Sequence, residues 1–279
     1  MKTYLDCFTC FLSQALRAVR IATDDEKQIK NVLDEVGMML RDIPLESSPP
    51  ESGRLIYQKV SEITGNLDPY KKIKDESTRD ALALYPSLKN QVEKSNDRLM
   101  TAVRIAVAGN VIDFGANWKF DLKHDVAEIL EKEFAICDYN RFKDRLAEAG
   151  EILYIGDNAG ECVFDRILIE EMKKPVIYVV RGTPVINDAI YEDAVKAGID
   201  KVATILSSGT DAPGTILKTC SEEFKKVYNN SKFIISKGQG NYEALSNEKH
   251  SIFFLLKVKC HVIANDIGID EGDIVLKGI

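Results

Sequence analysis

From residue 151 onward the chain alternates between short apolar runs and helix-length segments, and this alternation restricts its fold more than any other feature. The runs are residues 152–155, 176–180, 202–206, 233–236, 252–256 and 262–264. Their apolar character is continuous and does not alternate residue by residue. That marks strands covered on both faces, which belong to parallel sheets with helices on each side. A doubly wound α/β sheet is therefore expected. Helix patterns at 126–134 and 140–149 lead into the first of these strands, and another at 162–172 follows it.

The preceding part of the chain is of another kind. From Asp6 to about Ser95 there is no convincing strand pattern. Residues 7–22 carry Phe8, Phe11, Leu12, Ala15, Leu16, Val19 and Ile21 at helical spacing. A second helix is expected to start at Asp24 or Asp25, whose side chains can cap it, and to run to Leu40. Residues 44–53 hold three prolines, three serines and a glycine, and predict an exposed loop. Further helices are expected over 54–64, 70–84 and 95–108. The division that follows is a helical bundle over 1–94 and an α/β domain over 95–279.

Bulk properties narrow the partners. Forty-four acidic residues against 37 basic ones give a net charge of −7, with no long basic run, so nucleic acid is an unsuitable ligand. The longest apolar runs, such as 252–256, are far too short to cross a bilayer, so no membrane partner is expected. The N-terminal residues show no apolar signal core, and a cytoplasmic location is expected. The six cysteines then read as reduced thiols. Cys7 and Cys10 lie three apart on one helix face. They suit a redox pair, half of a metal site, or two small buried residues. The three histidines, at 124, 250 and 261, fall outside every motif and read as structural or surface residues.

In an open parallel sheet, ligands bind beyond the carboxyl ends of the strands. Those ends are polar here. Gly156-Asp157-Asn158-Ala159-Gly160-Glu161 follows the run at 152–155, and Arg181-Gly182-Thr183-Pro184 with Asn187-Asp188 follows 176–180. Asp157, Asn158 and Asp188 offer hard oxygen ligands from neighbouring strand ends, which suits magnesium, manganese, cobalt or nickel better than zinc in a sulfur cage. The structural alternative is that both aspartates are helix caps. Ser207, Ser208, Gly209 and Thr210 precede a helix expected near Thr215, where hydroxyls and free N–H groups can cradle a phosphate. Lys237 would balance its charge. The bland counterparts are a flexible loop and a solvated strand end. No Gly-x-Gly-x-x-Gly follows the first strand, and there is no Walker-type Gly-Lys-Ser/Thr.

The ordered set Cys7-Phe8-Thr9-Cys10, Gly109-Asn110-Val111-Ile112-Asp113, the two turns above, and Lys237-Gly238-Gln239-Gly240-Asn241-Tyr242-Glu243 resembles the damage-control phosphatase family, first catalogued as domain of unknown function eighty-nine. The resemblance spans nearly the whole chain and points to the microbial branch with paired cysteines. It implies an N-terminal helical bundle plus a three-layer α/β/α domain with a mostly parallel, Rossmann-like sheet. It also implies a metal-dependent phosphatase of small phosphorylated metabolites, with the metal held by Asp157, Asn158 and Asp188. Lys237 is implied at the phosphate, Asn110 and Glu161 near the site with catalytic roles, and Asn241 among the substrate contacts. Asp113 is a weaker carry-over. Asp157 as nucleophile and direct attack by water both stay open. The rivals are an S-adenosylmethionine-dependent methyltransferase, which needs no metal and wants a glycine-rich first turn, and a noncatalytic phosphometabolite-binding protein.

Overall fold

The structure, a computed structural model, describes residues 1–110 and 122–279, so Asp113 lies outside the described residues. Five helices come first: α1 (Leu5–Ala22), α2 (Glu26–Leu40), α3 (Pro49–Thr64), α4 (Lys71–Lys94) and α5 (Arg98–Gly109). Then follow α6 (Leu122–Glu131), β1 (Phe134–Cys137), α7 (Tyr139–Glu148), β2 (Ile152–Ile155), α8 (Glu161–Met172), β3 (Val176–Val180) and α9 (Tyr191–Ala197). The chain ends with β4 (Thr204–Ser207), α10 (Glu222–Asn230), β5 (Ile234–Lys237), α11 (Gln239–Leu245), β6 (Ile252–Lys257), α12 (His261–Ile267) and β7 (Ile274–Gly278). Among the described residues no helix is long and apolar enough to cross a membrane.

The seven strands lie in the order β1-β7-β6-β5-β2-β3-β4. Five are mutually parallel, β7 runs antiparallel to β6, and β1 pairs parallel with β7. Alternate residues of each strand feed different cores. Ile152 and Tyr154 join Phe164, Ile167 and Leu168 of α8 on one face. Leu153 and Ile155 join Phe224 and Tyr228 of α10 on the other. Helices therefore cover both faces, as continuous apolar runs require. A third core, with Phe11, Ala15, Val19, Val32, Val36, Ile56 and Val60, ties α1, α2 and α3 together. Helix α4 instead sends Ala81, Leu88 and Val92 into the sheet-face core with α8.

Several expectations need correction. Residues 262–264 are the first turn of α12 and not a strand: Val262 enters the bundle core while Ile263 and Ala264 enter a sheet-face core, so the apolar triplet serves two neighbours of one helix. The expected loop at 44–53 ends early, because Pro49 and Pro50 open α3. Proline is accommodated there since first-turn N–H groups have no helical acceptor, and Ser48 with Glu51 forms a capping box. Helix α4 continues past 84 through Pro86 to Lys94. Strands β1 and β7 escaped notice, being a four-residue edge strand of half-buried, half-exposed alternation and an antiparallel neighbour near the C-terminus.

Candidate functional site

From β2 the chain moves outward through β3 to β4, then returns to β5 on the opposite side of β2. The connections leave on opposite faces, α8 on one and α10 on the other, so a crevice opens where β2 and β5 end. Backbone hydrogen bonds assemble its floor. Asp157 O accepts from Ala189 N at 2.8 Å, Ala159 N donates to Asn187 O at 2.9 Å, and Asn158 and Asp188 form an isolated antiparallel bridge. Asp157, Asn158 and Asp188, some thirty residues apart in sequence, thus lie side by side on the floor of one cavity. Ile186, just before Asn187, holds a left-handed φ of 40°, a strained conformation for a branched side chain. From the other side, Gly238 (φ 78°) lets β5 end against Asp157: a Cβ there would collide with the carboxylate.

Beneath the floor lies a charged cluster. Fully buried Glu161 accepts from Asn110 Nδ2 at 2.8 Å and from Asn158 Nδ2 at 2.7 Å. Lys237 Nζ donates to Glu161 at 3.0 Å and to Asp165 at 2.6 Å. Asp165 also accepts from the hydroxyls of Tyr154 and Tyr178, each at 2.8 Å. Arg181 Nε pairs with Asp188 Oδ2 at 2.6 Å, whereas its buried Nη2 has no hydrogen-bond partner and stands 3.6 Å from Asp157 Oδ1. Four buried carboxylates, Asp157, Glu161, Asp165 and Asp188, therefore face two buried cations, Lys237 and Arg181. Burial, then the Glu161 and Asp188 charges, pushes the Asp157 carboxyl well above its usual range; burial also raises Asp188, against the opposing pull of Arg181.

This donor set fits a hard divalent cation. The carboxylate excess matches its charge, and two carboxylates with an amide oxygen leave part of an octahedral shell for water and substrate. Among the described residues no three His, Cys, Asp or Glu side chains converge as a ready-made cage.

The other expected site residues divide. Asn110 lines the cavity floor, whereas Glu161 and Lys237 sit under it and are not among its lining. Asn241 braces three chain segments, donating to Gly156 O and Lys237 O and accepting from Thr215 N and Oγ1. The structure does not bring Ser207, Ser208, Gly209 or Thr210 to the cavity. Ser207 Oγ accepts from Gly209 N, Ser208 Oγ donates to Val180 O, and Thr210 Oγ1 is bonded to Thr219 Oγ1. No helix starts near Thr215. A short 3-10 turn, Leu217–Thr219, comes first, and α10 begins at Glu222 under a Ser221 cap. Asp165 and Arg181 received no role from the sequence. Asp165 is one helical turn beyond Glu161 and so shares its face; Arg181 was visible only as a strand-end residue.

The cavity holds about 900 Å³. Lys257 and Lys259, at the end of β6, form part of its wall, while Phe11, Gln14 and Arg17 of α1 and Tyr57 of α3 roof it. Tyr57 donates to Gln14 Oε1 at 2.9 Å, joining the two roof helices. His261 stands at the rim, 3.2 Å from Asp6. His250 packs on Tyr228, and the side chain of His124 lies outside the described residues.

The fold and site together define an α/β protein whose ligand crevice opens at a topological switch point, floored by carboxylates and roofed by a helical bundle. A family model described as Damage-control phosphatase ARMT1-like domain matches residues 3–275. The chain belongs to this damage-control phosphatase family, catalogued also as domain of unknown function eighty-nine. A damage-control phosphatase of Pyrococcus horikoshii is 34% identical over 99% of this chain and 97% of its own. One of Archaeoglobus fulgidus is 35% identical over 97% of each. A crystal structure of a family protein from Pyrococcus horikoshii superposes with a TM-score of 0.92, covering 100% of this chain and 99% of that one at 34% identity.

Proposed function

We propose that the chain hydrolyses phosphate monoesters of small metabolites with the help of a divalent cation held by Asp157, Asn158 and Asp188. The buried excess of carboxylate over cation at the floor of the cavity carries this reading. A cation bound there supplies positive charge to a phosphoryl oxygen as negative charge builds on it. The protein's own groups do the positioning. Glu161 accepts hydrogen bonds from both asparagine amides and so fixes how each is turned. Lys237 neutralises Glu161 and Asp165 from below, and Lys257 with Lys259 places cationic side chains on the wall that an anionic ester would meet. Residues of α1 and α3 roof the cavity where the leaving group would lie, so these helices would select the metabolite. Phosphate release from a panel of phosphorylated sugars and cofactors, with magnesium, manganese, cobalt or nickel added singly, is expected for a subset and should vanish after chelation. Full activity in exhaustively metal-free protein would end the metal mechanism; no release from any ester with any metal would leave a binding protein.

A second measurement tests the cation site without turnover. The Asp157 and Asp188 carboxyls titrate above their ordinary 3.8 in the folded state. Between 3.8 and the raised value the folded chain holds more protons than the unfolded one, so these groups make stability fall as pH rises through that window. Metal-free protein should therefore melt higher near pH 5 than near pH 8, and manganese should raise the melting temperature more at the higher pH, where it meets ionised carboxylates. Equal cation-induced shifts at both pH values would contradict the assignment.

A further inference from the structure

The Cys-x-x-Cys motif has no part in the phosphatase reading, yet the structure brings it to the same cavity. Cys7 and Cys10 lie on the face of α1 that carries Phe11 and Gln14, and Cys260 comes from the opposite wall, where it caps α12 after β6. All three thiols are free and line the cavity, whereas Cys137, Cys162 and Cys220 do not. Cys7 is buried in the bundle core, and Cys260 packs against that same core. Cys10 is the exposed member of the motif. Glutamine amides hold two of the sulfurs: Gln14 Nε2 donates to Cys10 Sγ at 3.1 Å and Gln239 Nε2 to Cys260 Sγ at 3.5 Å. Although Cys10 is exposed, desolvation by the surrounding cavity walls raises its thiol above the usual value, against the opposing Gln14 hydrogen bond. The first turns of α1 and α12 meet beside these cysteines, where His261 Nε2 lies 3.2 Å from Asp6 Oδ1.

We propose that Cys10 and Cys260 are a thiol modification site that a low-molecular-weight disulfide converts into a covalent strap from α1 to α12, closing the cavity to substrate. The Cys10 thiolate attacks the reagent disulfide, forming a mixed disulfide and releasing one thiolate. The Cys260 thiolate then attacks the Cys10 sulfur, forming the internal disulfide and releasing the second. Two protein thiols are oxidised, the reagent disulfide is reduced to two thiols, and the two protons lost by the cysteines end on them. An i, i+3 bond between Cys7 and Cys10 would tie a helix only to itself, whereas Cys10 to Cys260 joins the bundle to the sheet layer. Because the thiolate is the attacking species, exchange is slow at neutral pH and quickens in alkali.

The test uses oxidised glutathione on the full chain at about pH 8.5, near the ordinary thiol pKa, followed by peptide mapping without reduction. The expected product is a Cys10–Cys260 peptide pair, with a higher melting temperature and phosphate release reduced at least about tenfold and restored by dithiothreitol. Cys10→Ser and Cys10→Ala should both form no such pair and keep their turnover after oxidant. A Cys7–Cys10 bond, no bond at all, or a strapped protein that hydrolyses at the parent rate would overturn the proposal. Only the loss of turnover rests on the phosphatase reading. Peptide pair and melting shift are read without it, so a failed strap and a failed phosphatase give different results.

Discussion

Replacing Asp157 with asparagine is expected to lower turnover by about a thousandfold or more while leaving the metal-free fold at least as stable as the parent at neutral pH. The side chain keeps its shape and loses its charge. In the parent that charge is opposed by burial and by the Glu161 and Asp188 carboxylates, so removing it relieves the cluster. The same change takes away a hard ligand, and the cation-induced rise in melting temperature should disappear with the activity. Asp188→Asn should behave differently. Its carboxylate is paired at 2.6 Å with the buried guanidinium of Arg181, and breaking that pair weakens the hold on a cation whose Nη2 already has no hydrogen-bond partner. Loss of turnover should therefore come with destabilisation of about 3–5 kcal/mol, read from denaturant unfolding. If Asp157→Asn hydrolysed esters normally and still responded to manganese, both aspartates would return to the role of turn and cap residues.

Lys237→Met is expected to cost about 3–5 kcal/mol of stability, because it leaves two buried carboxylates, Glu161 and Asp165, without their cation. The resemblance implied a lysine at the phosphate, for which a lysine variant would fold like the parent and lose only catalysis. The structure buries the ammonium between two acids, so stability is the primary readout. The deficit should grow with pH. Without the lysine, the already raised folded-state pKa of Asp165 rises further above that of the unfolded chain, and stability is lost as pH climbs between the two. Adding Asp165→Asn to Lys237→Met should recover a large part of the loss, since it removes one stranded charge while Tyr154 and Tyr178 still provide polar neighbours. A Lys237→Met protein that unfolds like the parent but hydrolyses at least about a hundredfold more slowly would put the lysine back at the phosphate.

How far the sequence reached can be seen at single elements. Residues 152–155 and 176–180 were legible to the residue because buried parallel strands are bounded by glycine, proline and charged residues. Residues 262–264 were not, because three apolar residues in a row look alike in a strand and in a helix wedged between two cores. The start of helix α3 is hidden in the sequence because proline breaks helices everywhere except in the first turn.

Local chemistry written in the chain determined the doubly wound class, the helical N-terminal part, and the two acidic strand ends, Asp157-Asn158 and Asp188, as the place to look. Only the tertiary structure decided which polar residues meet a ligand cavity and which are consumed holding it together. Lys237, Glu161 and Asn241 share motifs with cavity residues yet spend their hydrogen bonds inward, and Cys10 and Cys260, 250 residues apart, line one cavity from opposite walls. The reason is physical: strand order and helix packing set the direction in which a side chain points, and a sequence pattern specifies which face a residue occupies but not what stands opposite that face.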